Sequence, residues 1–257
     1  MTLSKPNILQ IDIETSPHTA YVWGLFKETV PIQRLIETGR VMCFAAKWYG
    51  TKEVLFSSEW GDGHESMIHR AHSLLNEADG VVHYNGNKFD IPTLNKEFVG
   101  YGLPPTAPAK HMDLYKVVRS SFRFPSNKLD YVAQHLGLGK KTAHEGFELW
   151  VKCMYGDKVA QRKMERYNIQ DVRLLEKLYV RLLPWIHNHP NYALYNPELA
   201  RPVCPNCGSH HLHSRGTYST KTMNYQRYQC QNCGTWTRAR INTTTPEQKQ
   251  NTTVSVR

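Results

Sequence analysis

Acidic residues are in short supply. The chain of 257 residues carries 22 Asp and Glu against 32 Lys and Arg, a formal charge of +10. The shortage is greatest at one end. From Arg201 onward a single acid, Glu247, faces eight Lys and Arg. That excludes an acidic tail and favours a polyanionic partner, because cations that neutralise such a partner release its counterions. Long apolar runs are also missing: none is long enough to cross a membrane, and no apolar leader opens the chain. Cysteine is sparse. Of six residues, four fall in two C-x-x-C pairs. The set is wrong for a disulfide framework and fits a reducing compartment with a metal site. Cys43 and Cys153 stand apart in apolar surroundings and read as core packing.

What is present has the order of an α/β protein. Ile8 to Ile13 reads as a strand, and residues 40–49 and 53–57 as two more joined at Gly50-Thr51. Residues 65–78 have helical spacing at Ile68, Ala71, Leu74 and Leu75. A short buried strand follows at 81–84, then a helix at 91–99 and a strand at 110–114. Helices are expected at 129–136 and 147–155, with a long one from about 157 to 186 that Pro184 ends or kinks. Strands first, then alternating elements, then a long closing helix fit a ribonuclease-H-like mixed sheet flanked by helices over residues 1–187. Residues 188–202, rich in Asn and Pro, read as a linker. Residues 203–241 read as a small second domain. Residues 242–257, polar and Thr-rich, are expected to be disordered.

Three acidic stretches carry the chemistry. In Asp12-Ile13-Glu14-Thr15, strand alternation sets Asp12 and Glu14 on one face, with Leu9, Ile11 and Ile13 on the other. A solvated face is the plainer account, but the flanking residues are those of a central strand. In Asn85-Gly86-Asn87-Lys88-Phe89-Asp90, Asp90 opens a helix and suits an N-cap; Asn85 and Asn87 suit the turn. In Tyr167-Asn168-Ile169-Gln170-Asp171, Asp171 interrupts an apolar stripe of Met164, Tyr167, Leu174, Leu175, Leu178 and Leu182. A buried carboxylate without a partner costs several kcal/mol, on the order expected for unpaired charge, and a divalent cation offsets it. Tyr167 lies one turn before Asp171 on the same face.

Asp-x-Glu on a first strand, an Asn-rich Phe-Asp in the middle and Tyr-x-x-x-Asp on a late helix resemble the three motifs of the DEDD (DnaQ-like) 3′–5′ exonuclease superfamily. The Tyr places the resemblance in the tyrosine branch, similar to the proofreading domains of family-B DNA polymerases and to stand-alone phage and bacterial exonucleases. It spans about residues 7 to 187, and Lys128-Leu129-Asp130-Tyr131-Val132-Ala133 resembles a further helix of that family. The resemblance implies that Asp12, Glu14, Asp90 and Asp171 hold two Mg²⁺ or Mn²⁺ ions, with Asp12 shared, and that Tyr167 orients or helps activate the attacking water. It implies release of nucleoside 5′-monophosphates, with DNA ahead of RNA as substrate and single-stranded or frayed ends preferred. An RNA exonuclease, a ribonuclease-H-like endonuclease and an inactive nucleic-acid-binding protein stay open. The implied setting is the cytosol of a bacterium or phage-infected cell, with no membrane partner and an unidentified replication or recombination protein as a possible associate. Lys88, Lys116, Arg119 and Arg123 are candidates to line the approach.

Cys204-Pro-Asn-Cys207 and Cys230-Gln-Asn-Cys233, each followed by Gly, read as a zinc ribbon with one structural Zn²⁺. His210, His211 and His213 lie nearby, but four cysteines already close such a site. Strands are expected at 212–218, 225–229 and 236–241. On them cations and rings interleave. Arg215, Lys221, Arg227, Trp236, Arg238 and Arg240 are the candidates for nucleic-acid contact, beside Tyr218, Tyr225 and Tyr228. The same rings could instead form the ribbon's small core.

Overall fold

The structure is a computed structural model that describes residues 5–143, 145–196, 199 and 201–256. Pro197, Glu198 and Ala200 of the expected linker, and Arg257 of the expected disordered tail, lie outside the described residues. The chain divides into two compact units, one spanning Asn7–Val180 and one that takes in the chain from Arg181.

The larger unit is built on β1 (Ile8–Thr15), whose apolar residues are buried throughout. On one side β1 pairs antiparallel with β4 (Val41–Trp48), and β4 with β5 (Leu55–Ser58). On the other side it runs parallel to β6 (Gly80–His83), which runs parallel to β7 (Lys110–Asp113). The order β5-β4-β1-β6-β7 makes β1 central. Between β1 and β4 the chain makes a short excursion, the pair β2 (Thr19–Ala20) and β3 (Leu35–Glu37).

Leu9, Ile11 and Ile13 face a core with Met67 and Ile68 of α1 (His64–Glu77) and with Leu94 and Phe98 of α2 (Asp90–Gly100). A second core joins Met42 and Cys43 of β4 to residues further along the chain. These are Leu149 and Cys153 of α5 (Phe147–Met154), with Met164 and Tyr167 of α6 (Lys158–Leu182). The sheet is therefore covered by helices, the arrangement expected from the sequence, and both isolated cysteines serve as packing.

Two short helices precede these. α3 (Leu114–Ser121) was not anticipated beyond the strand end at Leu114; the Asp113 side chain caps it by accepting from the Tyr115 N–H. α4 (Leu129–His135) matches its expected start. Pro184 ends α6, and Leu183–Trp185 continues as a single 3-10 turn because proline cannot donate to the ladder.

In the unit from Arg181, β8 (Leu212–Ser219), β9 (Asn224–Cys230) and β10 (Trp236–Asn242) form an antiparallel sheet of order β10-β9-β8. Within 188–202, the stretch read as a linker, a 3-10 turn forms at Tyr192–Tyr195, and the Tyr192 N–H donates to the Pro205 carbonyl. The tail read as disordered carries α7 (Pro246–Asn251). It is started by a capping box in which Thr245 and Gln248 satisfy each other's backbone N–H. That local signal has no apolar periodicity behind it.

Candidate active site

Two elements from distant parts of the chain, β1 and α6, bring carboxylates together on the sheet face opposite Leu9, Ile11 and Ile13, and α2 sets a fourth beside the same strand. β1 supplies Asp12 and Glu14. α6 supplies Asp171, which is 1% exposed, at the position where its apolar stripe is interrupted. Ligand oxygens of Asp12, Glu14 and Asp171 all lie within 4.8 Å of one another. Asp90 stands at the first turn of α2. The helix is capped at Phe89 without a side-chain bond, and Asp90 instead reaches across to β1, where its Oδ1 accepts the Ile13 N–H at 3.2 Å. The N-cap reading of Asp90 therefore gives way to a cross-link between α2 and the strand that carries Asp12 and Glu14.

The turn that aims Asp90 is tightly specified. Asn85 has φ of 67°, and its N–H donates to Asp113 Oδ1. Gly86 packs so closely on His83 that a Cβ would lie 2.5 Å from the ring's Cγ. The Ile91 N–H then returns to the Gly86 carbonyl. Asn85 is a turn residue, as the sequence suggests.

Three partners were not foreseen. Asn168, fully buried on α6, donates through Nδ2 to Asp12 Oδ2 at 2.7 Å and to the Asp12 carbonyl at 3.2 Å. The Trp150 indole donates to Glu14 Oε2 at 2.9 Å and packs edge-on against the Tyr167 ring. Lys141, on the loop between α4 and α5, donates through Nζ to Asp171 Oδ2 and to the Tyr167 hydroxyl, the latter at 3.0 Å. Its own N–H is held by Asp130 Oδ1 on α4. Asn168 was readable in hindsight, one position after Tyr167 in the helical motif. Lys141 sits in a Gly- and Lys-rich stretch that resembles an ordinary solvated loop.

The electrostatics are those of crowded, buried anions. Burial pushes the Asp12 carboxyl well above the usual range, and Asp171, Asp90 and Glu14 add to the push. Glu14 is raised to about 7, chiefly by burial, against the opposing Trp150 hydrogen bond and Lys141 charge. Asp90 is raised to about 6, again by burial first, with the Ile13 N–H pulling the other way. Asp171 is raised by burial and held back by Lys141. Burial disfavours the Lys141 ammonium, but Asp171 and Asp12 outweigh it and hold the charge firmly. Burial and Asp171 push the Tyr167 phenol up, so it stands as a neutral hydroxyl rather than a phenolate base.

The donor set fits hard divalent cations. It consists of carboxylate oxygens, closely spaced and mutually repelling, and Asp171 Oδ1 is buried with no hydrogen-bond partner among the described residues. Lys88, Lys116, Arg119 and Arg123 are all exposed. Arg119 and Arg123 line a crevice with Ser120, Ser121 and Phe122 beside Asn127.

In the unit from Arg181, the sulfurs of Cys204, Cys207, Cys230 and Cys233 lie within 4.8 Å of one another. Gly208 and Gly234 follow the two pairs with φ of 71° and 83°, the left-handed turn each knuckle needs. Four soft thiol donors converging this way suit a tetrahedral metal. Of the expected contact residues, Arg215 lies on β8, Lys221 in the β8–β9 turn, Arg227 on β9, and Trp236, Arg238 and Arg240 on β10.

Fold and donor set together define a ribonuclease-H-type α/β protein with an acidic centre on its sheet. The family model of the RNase H superfamily, RNase_H_2, matches residues 10–183, and the chain belongs to that superfamily. Among solved structures it is similar to the family B DNA polymerase from the hyperthermophilic archaeon Pyrobaculum calidifontis. The identity is 21% and the TM-score 0.53, over 70% of this chain and 25% of the polymerase, so the likeness is one of fold and spans a quarter of that protein. No curated protein sequence matches the chain.

Proposed function

We propose that the chain is a metal-dependent 3′–5′ exonuclease of the DEDD type, tyrosine branch, that hydrolyses DNA at single-stranded or frayed ends to nucleoside 5′-monophosphates. The observation that carries this is the meeting of Asp12, Glu14 and Asp171, with Asp90 cross-linked to the same strand and Tyr167 beside Asp171. Asp12, Glu14, Asp90 and Asp171 would hold two Mg²⁺ or Mn²⁺ ions. Such ions, when bound, supply charge stabilisation of the phosphoryl oxygens and lower the pKa of a water.

The chain's own residues do the rest. Asn168 fixes the Asp12 carboxylate through one oxygen and leaves the other free to ligate. Trp150 does the same for Glu14. Tyr167, a neutral hydroxyl held between Lys141 and Asp171, can orient a water by hydrogen bonding without taking its proton. The core is assigned to residues 1–187. Residues 203–241 are assigned as a zinc ribbon holding one Zn²⁺ through its four cysteines, with Arg215, Lys221, Arg227, Trp236, Arg238 and Arg240 as its contacts to nucleic acid.

The test is digestion of linear and circular single strands, DNA and RNA, in Mg²⁺. Mononucleotides bearing 5′-phosphates from linear DNA, with the circle intact, support the proposal. Cutting of the circle would replace it with an endonuclease, and faster release from RNA would transfer the same chemistry to the other sugar.

A further inference from the structure

The sheet β8–β10 has two faces of different chemistry. Pairing register decides which side chains share a face. Tyr218 lies opposite Tyr225, Arg227 opposite Arg238, and Gln229 opposite Trp236. Tyr225, Arg227 and Gln229 are spaced by two on β9, as are Trp236 and Arg238 on β10. Tyr218, Tyr225, Arg227, Trp236 and Arg238 therefore share one face. The contacts agree. The Arg238 guanidinium lies 3.9 Å from the Tyr225 ring centre and 5.7 Å from that of Tyr218, and the Arg227 guanidinium lies 5.0 Å from the Trp236 ring centre. The opposite face carries Thr217, Gln226, Tyr228 and Thr237. There the Gln226 amide is engaged with Ser214 Oγ and the Gly216 carbonyl.

Rings that only formed the core of a small domain would be covered. Trp236 and Tyr218 are instead 53% and 47% exposed, and Arg238 is exposed between them and Tyr225. Each guanidinium lies over a ring and holds it in place at the surface. Among the described residues neither Arg227 nor Arg238 forms an ion pair with a carboxylate. Glu247, the one acid from Arg201 onward, is on α7. The face thus offers flat rings and uncompensated positive charge, and none of the five residues is aliphatic.

We propose that this face is a stacking platform for a single-stranded polynucleotide, with bases laid on the exposed Trp236 and Tyr218 and phosphates met by Arg227 and by Arg238, which Tyr225 supports from beneath. It rests on the nuclease reading for the identity of the ligand and adds the strandedness. A base can offer its ring face only when it is not stacked in a duplex, whereas phosphates are available in both forms. A platform of rings therefore discriminates where a purely basic surface would not. The opposite face, with one ring and no cation among its paired positions, is not part of the site.

The experiment uses the full chain carrying Asp12→Asn, so that strands are bound and not consumed. Affinity is read by anisotropy for a labelled oligodeoxynucleotide of about 16 nucleotides, the upper end for small stacking modules. The same RNA sequence and the blunt duplex are further arms, each across a salt series. Trp236→Ala is expected to weaken single-strand binding about 5- to 100-fold, Trp236→Phe to retain most of it, and duplex binding to be unmoved by either. Arg238→Gln should lower the salt slope by about one counterion, whereas Lys249→Gln, which removes equal charge from α7 outside the sheet, should not. Cysteine-bound metal content checks that each variant is folded. Parent-like single-strand affinity and slope in both Trp236→Ala and Arg238→Gln would overturn the platform. If cleavage by the unsubstituted chain persists in that case, the nuclease reading stands and the face passes to a protein partner. Equal losses on single strand and duplex in Trp236→Ala would overturn strand selectivity. Failure of the parent both to bind any polynucleotide and to cleave would remove both readings together.

Discussion

Asp171 is buried and Asp12 partly so, and their surroundings differ in charge. The Asp12 side chain accepts from the neutral Asn168 amide, and Asp171, Asp90 and Glu14 act on it against a weaker pull from Lys141. Asp171 is paired with Lys141. Without divalent metal, Asp12→Asn should therefore leave the melting temperature level or raise it, because it removes repulsion and preserves an acceptor for Asn168. Asp171→Asn should lower it, at a cost of about 1.5–3 kcal/mol, since a charged hydrogen bond is lost and the partly exposed Lys141 is left short of its counter-charge. Both should abolish cleavage. Mg²⁺ should raise the melting temperature of the unsubstituted chain and of neither variant; thermal scans with and without Mg²⁺ read all of this at once. Tyr167→Phe should keep the Mg²⁺ shift and slow turnover by about 2- to 12-fold, the worth of one neutral hydrogen bond that positions a water. An unchanged rate would make Tyr167 a packing residue.

His83 sets a separate pH dependence at the same scale. Burial, with help from His111 and Lys116 and against a hydrogen bond that the ring donates to Asn87, drops its value to about 3 from an ordinary 6.5. Its neighbour across the register is Asp113. The unfolded chain then takes up the proton first. The contribution of His83 is complete above pH 6.5 and is lost as the pH falls toward 3. Relative to His83→Asn, the native chain should lose up to about 1.4 kcal/mol per pH unit in that window. Parallel stability curves for the two would show that His83 is not buried as a neutral ring.

Among the elements, those with a strong apolar period were readable in advance. The α6 stripe and the buried run of β1 each state their own geometry, and the interruption at Asp171 marked the site. What escaped was held by single contacts. α3 starts on one Asp113 cap, and α7 on one capping box. The loop from Gly137 to Gly146 has no periodicity, yet Asp130 fixes the Lys141 backbone and so places an ammonium against Asp171 and Tyr167. That role for Asp130 gives a physical meaning to the Leu129-Asp130 helix start. The turn before α2 is an element-scale prediction of its own. Gly86→Ala would press a methyl group into the base of the buried His83 side chain, with an overpacking cost of about 1–3 kcal/mol and a displaced Asp90. Chemical denaturation and turnover should fall together, and unchanged stability would mean that the turn has room the structure does not show.

At the scale of the molecule, charge and metal divide the labour. The clustered acids Asp12, Glu14 and Asp171 lie in the Asn7–Val180 unit, and the acid-poor chain beyond it carries the four thiols. A small three-stranded sheet has little core, and a structural zinc supplies on the order of 10–16 kcal/mol in comparable modules. Cys204→Ser should therefore release one equivalent of zinc and unfold β8 to β10, while helical signal and cleavage of very short strands persist. Zinc content by elemental analysis beside circular dichroism is the check. The family fold and the meeting of Asp12, Glu14 and Asp171 could be read from motif order because their motifs sit on β1 and α6, two regular elements. The start of the second unit could not, since Arg181 falls inside the continuous apolar stripe of α6 and no composition change marks it.

Removal of nucleotides from a 3′ end by the carboxylate cluster with divalent metal can be followed in a time course on a 5′-labelled single-stranded DNA, for the unsubstituted chain and Asp12→Asn, in Mg²⁺ and in chelator. A ladder that shortens one nucleotide at a time from the 3′ end is expected, seen only with the unsubstituted chain and Mg²⁺. Immediate release of the labelled 5′ nucleotide, or an identical ladder from Asp12→Asn, would contradict it.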